Sequence, residues 1–518
     1  MSDLAQLAHE LASLGVQCVF GIPGEGPSLH LLTALEKLGV AFQLVPHEAA
    51  GALMAAGFAS ATGTPGVAIS IKGPGFGNML AGITSNWLDR QPVLTLSESY
   101  GPGSSSARMH KRIDHCRMVR PVVKAYWDNC SPELLPKLWH LCGAEEPGPV
   151  HLDISARMDQ TPSIDETPEI SSRVERLPQE AARLLRAARR PAVIVGSLAN
   201  RRQWRTKLNA MQVPVLTTVA GKGAIDESLP HAGGVFTNSG GAFSPEKQIL
   251  PKADLILGLG LRVTELIDIQ KLPAPLVALD ELSGKARGLD PVMEALADAP
   301  AFDEALDIVA EKAWGKRELD EARSVLSTEL RLDRWLPAAA FRMLQDLLPD
   351  ESTFFMDTGN FCVIGEHVLV GRRPLQVMGS TLARSMGVAL PRGTGAALAA
   401  PGRPVVVAVG DGGICLYPEV LSIAVQKKLP VILVLMKDGF YSSIREVAIR
   451  EGLSEEIIRV PRPSWTGLFE SMGCPSHRVG SKASLETAVR SIDGRSGPMF
   501  LELEFDAEEY MAMTGGIR

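Results

Sequence analysis

The sequence predicts an α/β protein made of three doubly wound parallel-sheet domains. Three observations carry that expectation. Short apolar runs alternate with amphipathic helical stretches in three segments, the pattern of βαβ units and parallel sheets. Two polar stretches separate the segments: residues 163–176 (SIDETPEISSRVER), and residues 312–334, whose alternating charges suit a solvated connecting helix. At 518 residues the chain is too long for one core, since roughly 150 residues per domain is usual. The expected domains are residues 1–165, 177–312 and 335–518.

The first domain reads as strand Val16–Phe20 ending in GIPGEG, helix Pro27–Leu38 and strand Ala41–Val45. PHEAAGALMAAGFASATG then forms a helix beginning near His47, with Ala and Gly on one face so that something can approach closely. The strand VAISI, the loop KGPGFGN, a further helix and the strand VLTLSE follow. The middle domain repeats the pattern with RPAVIVGSLAN, VPVLTTVAGKGAI and KADLILGLGLRV. Glycine loops recur at the C-terminal ends of strands, the edge of an open parallel sheet where ligands bind.

Composition narrows the partners. A hydrophobic share of 45% and a charged share of 21% describe an ordinary folded chain, and the net charge of −7 argues against nucleic acid and anionic membrane. Cys18, Cys116, Cys130, Cys142, Cys362, Cys415 and Cys474 are odd in number, scattered and without CxxC spacing, so a reducing compartment fits best. With no basic-then-apolar start and no apolar run of membrane length, the expectation is a soluble, cytoplasmic protein.

The most informative stretch is Arg403–Ser443. Val405–Val409 is a buried strand, Pro418 begins a helix over Glu419–Leu429, and Pro430–Met436 is a second buried strand. Asp411 follows the first strand and Asp438 the second, 27 positions later (438 − 411). A right-handed crossover therefore brings both carboxylates to one sheet edge, where they repel unless a cation lies between them. Such oxygen ligands suit Mg²⁺ or Ca²⁺, and Mg²⁺ completes its shell with water and phosphate oxygens. Gly410, Gly412 and Gly413 leave backbone N–H groups free to meet those oxygens. Singly, GDGG and KDG are common acidic turns. Their joint placement points to metal plus diphosphate.

At these residues the chain resembles the thiamine diphosphate-dependent enzymes. GDG followed by KDGFY stands where the family has GDG and N-N-x-x-Y. The resemblance implies that Asp411 and Asp438 supply metal-ligating side chains, that Phe440 supplies a backbone carbonyl, and that Tyr441 lies by the cofactor. Asp438 replaces the usual Asn, and Lys437 is expected to offset the added charge. Glu48 matches the family's glutamate, which is hydrogen-bonded to the pyrimidine N1′ so that the 4′-nitrogen can take the thiazolium C2 proton. His47 is read as a helix-start polar residue.

Further matches extend the resemblance over the whole chain, with pyrimidine-binding, central nucleotide-fold-like and diphosphate-binding domains in that order. KGPGFGN, with Gly73 and Asn78, resembles the family's S-G-P-G-x-x-N loop, and GIPGEG, with Pro23 and Gly24, another loop by the cofactor. Met386, before Gly387, matches the side chain that wedges the cofactor into its bent shape. Arg384 is implied to offer its carbonyl to the 4′-amino group, and Thr358, Gly359 and Asn360 to lie near the diphosphate.

The C-terminal GPMFLELEFDAEEYMAM and the RPVVK stretch resemble acetolactate synthase-type members, but His110 and Lys111 stand where those enzymes have an aromatic residue and a Gln. A cationic pair there suits a substrate with a second anionic group. The implied activity is cleavage or formation of a C–C bond next to a carbonyl: decarboxylation of a 2-oxo acid, with possible carboligation. The implied cofactors are thiamine diphosphate and Mg²⁺, and the implied assembly is a homodimer or homotetramer with the site between subunits. No flavin is expected, because VGSLAN and GLGLRV carry too few glycines. The alternatives are a flavin-dependent 2-oxo acid oxidase and a non-catalytic cofactor-binding relative.

Overall fold

The computed structural model describes residues 2–101, 104, 110–160, 176–461, 464–491 and 497–517. It contains three six-stranded sheets. The first joins β1 (Cys18–Gly21), β2 (Ala41–Leu44), β3 (Gly66–Ser70), β4 (Val93–Glu98), β5 (Tyr126–Asp128) and β6 (Val150–Ile154) in the order β2-β1-β3-β4-β6-β5. The second joins β7 (Pro191–Val195), β8 (Val215–Thr218), β9 (Ala232–Phe236), β10 (Leu255–Leu259), β11 (Leu276–Asp280) and β12 (Met293–Leu296) in the order β12-β11-β10-β7-β8-β9. The third joins β13 (Thr353–Met356), β14 (Val377–Gly379), β15 (Val405–Gly410), β16 (Val431–Lys437), β17 (Ser476–Val479) and β18 (Met499–Glu504) in the order β14-β13-β15-β16-β18-β17.

Every pairing between these strands is parallel. Parallel sheets need cover on both faces, which is why β3 and β16 are apolar up to their last residues, Ser70 and Lys437, rather than alternating, and why each of their residues is buried.

The alanine- and glycine-rich helix is Glu48–Thr62, and the element that approaches it is the helix Ala389–Ala399. A Cβ on Gly57 would lie 1.8 Å from the Arg392 carbonyl oxygen, and one on Gly395 would lie 2.0 Å from that of Met54. The two helices therefore meet backbone to backbone, and the pairing of rising with falling numbers makes them antiparallel. Around this seam Ala50, Ala52, Met54 and Ala55 share one core with Ala389, Leu390, Ala396 and Ala397. Asp89 pins it from the first domain. Its buried carboxylate accepts Arg392 Nη1 at 2.8 Å, the Ser380 hydroxyl at 3.0 Å, and the Leu382 and Ala383 amides at 3.2 and 3.1 Å.

Three elements differ from the sequence-based expectation. KGPGFGN is a turn at Gly73 followed at once by the helix Pro74–Leu88, because proline at the first helical position has no N–H to lose. The helix after Pro418 is short, a 3-10 turn over Pro418–Val420 and then Leu421–Lys427. The charged connecting helix, Lys316–Glu329, is not solvated all round: Leu319 and Ala322 pack on Ile249 of the central domain. None of the seven cysteines forms a disulfide among the described residues. Among the described residues no helix is long and apolar enough to cross a membrane.

Candidate active site

β15 and β16 pair in register up to Gly410 against Met436, so the residues that follow them emerge side by side. Asp411 Oδ2 accepts the amides of Asp438 and Gly439, each at 2.9 Å. Asp438 Oδ1 accepts the Phe440 amide at 3.2 Å, and its Oδ2 takes the Ser442 hydroxyl. Burial pushes the Asp438 carboxyl up to about 6 against the pull of Ser442, and the facing Asp411 carboxylate adds to the rise. Two carboxylates buried side by side at one sheet edge form a place for a cation.

The glycines beside them are packed close. A Cβ on Gly412 would lie 2.3 Å from the Tyr441 ring and 3.0 Å from Met386 Sδ. One on Gly410 would meet the Phe361 ring at 3.0 Å, and one on Gly413 would meet Asp357 Oδ2 at 2.2 Å. Asp357 is buried and accepts the Gly387 and Ala389 amides at 2.6 and 2.8 Å, which pins the turn after Met386. Burial raises its carboxyl to about 6, with those amides pulling the other way. Met386 and Tyr441 are among the exposed large apolar side chains, at 39% and 36%.

Thr358 donates its amide to the Ser385 carbonyl at 3.4 Å. Gly359 caps the helix Asn360–Val368, and Asn360, buried at its first position, keeps an Nδ2 with no hydrogen-bond partner among the described residues. Arg384 has a φ of +45°, and its Nη1 lies 3.6 Å from Glu366 Oε1. Residues 358–360, 384–387, 410–413 and 438–441 thus gather at one end of the third sheet.

The first domain holds the other group. His47 caps the helix Glu48–Thr62, its Nδ1 accepting the Ala49 amide at 3.1 Å, in line with its reading as a helix-start residue. Glu48 is buried, at 7% exposure. Its Oε2 accepts Asn78 Nδ2 at 3.1 Å, and its Oε1 lies 3.0 Å from where a Gly75 Cβ would stand. The start of the helix Pro74–Leu88 therefore holds Oε2 through Asn78, and its bare Gly75 leaves the room that Oε1 occupies. Gly24 donates its amide to Ser28 Oγ at 2.7 Å, and that hydroxyl donates to the buried Glu98 at 2.6 Å, so the loop with Pro23 closes over a carboxylate. His110 and Lys111 are exposed. The Lys111 carbonyl abuts Gly73, 2.4 Å from where its Cβ would be, and the His110 carbonyl accepts the Tyr100 hydroxyl.

Lys437 does not serve Asp438. Its ammonium binds the buried Glu502, and Glu504 at 3.0 Å. Neighbouring residues of a strand point to opposite faces, so the last residue of β16 cannot aim with the one that follows it.

Comparison with known proteins agrees with this geometry. Residues 3–118 match the N-terminal TPP-binding domain of thiamine pyrophosphate enzymes, residues 178–302 their central domain and residues 357–503 their C-terminal TPP-binding domain. The chain belongs to the thiamine pyrophosphate enzymes. A "Probable 2-ketoarginine decarboxylase" of Pseudomonas aeruginosa is 30% identical to it, across 96% of this chain and 93% of that one. The acetolactate synthase isozyme 3 large subunit of Escherichia coli is 26% identical across 100% and 97%, and an acetolactate synthase of Bacillus subtilis 24% across 96% and 92%.

As a thiamine pyrophosphate enzyme the chain has fitting donors for both parts of the cofactor. The orphaned Asn360 amide and the tightly packed Gly410–Gly413 turn suit a diphosphate, and the paired aspartates suit its metal. Sequence reasoning missed Asp357, Ser442 and Asp89, which bond the Gly387 amide, the Asp438 carboxylate and the Leu382 amide. Asp357 had a legible signal, an acid directly after a strand and before TGN. Asp89 had none, because its partners lie far along the chain, whereas Ser442 stands only four residues after its partner Asp438.

Proposed function

We propose that this thiamine pyrophosphate enzyme decarboxylates a 2-oxo acid, with carboligation to an acceptor as a second outcome, and that Mg²⁺ anchors the cofactor diphosphate. The observation that carries the reading is the buried Glu48 carboxylate, held by Asn78 and given room by the bare Gly75. It is supported by the name of the Pseudomonas aeruginosa relative, a decarboxylase. Asp411, Asp438 and the Phe440 carbonyl are the proposed metal ligands.

Bound thiamine diphosphate supplies the electron sink for breaking the bond next to the carbonyl. The chain's own residues bind and orient it. Glu48 exchanges a proton at the pyrimidine nitrogen. The Arg384 carbonyl would serve the 4′-amino group and Met386 would support the cofactor's rings, while Pro23, Gly24, Gly73 and Asn78 would shape the pyrimidine side. Thr358, Gly359, Asn360, Gly410, Gly412, Gly413 and Tyr441 line the diphosphate. His110 and Lys111 face the distal end of the substrate and favour an anionic group there.

The proposed domains are residues 1–165, 177–312 and 335–518, in a cytoplasmic homodimer or homotetramer with the site between subunits. Support for the shared site comes from the contacts of Glu48, which lie within its own domain, and from the exposure of Met386 and Tyr441. Against a flavin oxidase stands the half-buried Glu265, which fills the glycine turn after β7 by accepting the Ser197 amide at 2.8 Å. A yellow purified protein would revive that alternative.

The test is CO₂ release from a panel of 2-oxo acids, with and without an aldehyde acceptor, in the presence of thiamine diphosphate and Mg²⁺. The panel holds pyruvate, 2-oxoglutarate and 2-ketoarginine. Release from at least one is expected. Silence from a broad panel, with cofactor bound, sinks the reading.

A further inference from the structure

One buried titratable cluster has no part in the chemistry above. His115, His151 and Asp153 are 6%, 0% and 2% exposed, and their ligand atoms lie within 4.8 Å of one another. Their hydrogen bonds account for the cluster without a metal. Asp153 Oδ1 meets His115 Nδ1 at 2.7 Å and His151 Nε2 at 3.2 Å, and Asp153 Oδ2 accepts the Tyr126 hydroxyl at 2.6 Å. The remaining nitrogen of His151 meets the Thr95 hydroxyl at 2.8 Å.

The remaining nitrogen of His115 faces the amide of Gly73, 3.3 Å away. A backbone N–H only donates, so Nε2 accepts and carries no proton. The ring proton therefore sits on Nδ1 and is donated to Asp153. Phe76 stacks on the ring at 4.0 Å between centroids and fixes its plane. Burial opposes the charge on Asp153, but the hydrogen bonds from both histidines outweigh it and hold the carboxyl below the usual range.

Gly73 is the hinge at the start of the helix Pro74–Leu88, with a φ of +71°. Two and five residues on, Gly75 leaves the room for Oε1 of Glu48 and Asn78 holds its Oε2. We propose that His115 is a positioning residue for Glu48: anchored by Asp153, it holds the Gly73 amide and so fixes the turn that aims the glutamate. The proposal rests on Glu48 being the proton-transfer group. Without the His115 acceptor a buried amide loses its partner and the helix start is free to shift, and a displacement of roughly 1 Å near reacting groups costs on the order of a hundredfold in rate.

The full-length protein carries the test. In ¹⁵N-histidine-labelled wild type, the His115 ring, identified by its missing signals in His115→Gln, should show a protonated Nδ1 and an unprotonated Nε2. A protonated Nε2 overturns the proposal, whatever the substrate proves to be. His115→Leu, with no acceptor, should lower kcat about tenfold or more while KM and the Kd for thiamine diphosphate stay within about threefold. His115→Gln, which can present an oxygen to the Gly73 amide, should recover most of that loss. A leucine variant within about twofold of wild type, or a glutamine variant as slow as the leucine one, is equally fatal. Should His115→Leu not fold, the ring-nitrogen signals and a loss of more than about tenfold in His115→Gln decide against it. If wild type turns over no 2-oxo acid, the functional reading fails by itself and the ring-nitrogen result still stands or falls.

Discussion

A single oxygen of Asp411 accepts the amides of Asp438 and Gly439, both at 2.9 Å. The aspartate thus orients the backbone of its own partner. Asp411→Ala should remove a ligand and release the Asp438 turn together, lowering magnesium-dependent cofactor affinity by at least about tenfold. Titration calorimetry with thiamine diphosphate and Mg²⁺ checks this. Unaltered retention would remove the pair from the site.

Glu48→Gln keeps the shape of the side chain. Cofactor binding should stay within about threefold of wild type while kcat falls by roughly 10²- to 10⁴-fold. Cofactor affinity and steady-state rates measured on one preparation separate the two effects. A variant with an unaltered rate would take Glu48 out of the mechanism.

Two neighbouring glycines should respond differently to an added methyl. In Gly412→Ala the methyl meets the Tyr441 ring and Met386 Sδ, exposed side chains that can yield, so folding survives and cofactor affinity drops. In Gly413→Ala it meets Asp357, buried and tied to two amides, so stability falls by about 1–3 kcal/mol. Denaturant midpoints and cofactor titrations of the two variants should show this crossed pattern.

Lys124 gives a pH dependence with a definite sign. Burial lowers its pKa to about 8, and its ammonium donates to the Ala144 carbonyl at 2.7 Å. Between about 8 and the ordinary lysine value of about 10.4, the unfolded chain holds a proton that the folded chain lacks, so this group's contribution to stability rises with pH. The penalty is complete below 8 and relieved above it. Wild type should therefore gain on Lys124→Met as pH goes from 7.5 to 10, read from thermal midpoints. Parallel curves would refute it.

The seam between the first and third domains can be probed at Gly57. A methyl there lies 1.8 Å from the Arg392 carbonyl, so Gly57→Ala must part the helices and should cost about 3 kcal/mol or lose the fold. Gly143→Ala, with nothing within 4 Å of its new carbon, is the control and should change little.

The sheets were legible because buried parallel strands read as unbroken apolar runs, as in Val405–Val409, and because the acids after them stand at strand ends. The helix on Pro74 was hidden by its glycines, which look like a loop until the proline's place at the first helical position is seen. The misreading of Lys437 has a similar origin. Adjacency in sequence suggested a pairing with Asp438, whereas strand alternation sends the two side chains apart and hands the ammonium to Glu502. Asp89 and His115 left little trace in the sequence because each acts on backbone amides brought near only by folding.

The glycine-lined contact between the helices Glu48–Thr62 and Ala389–Ala399 has a mechanical consequence. Sliding either helix would drive a carbonyl into bare backbone, with no side chain to flex out of the way. The glutamate-bearing half and the diphosphate half of one chain therefore behave as a clamped joint, and Asp89 with Arg392 is the bolt. In an assembly of the proposed kind, a site shared between chains would open and close by the rocking of whole subunits, with each chain moving as a stiff arm.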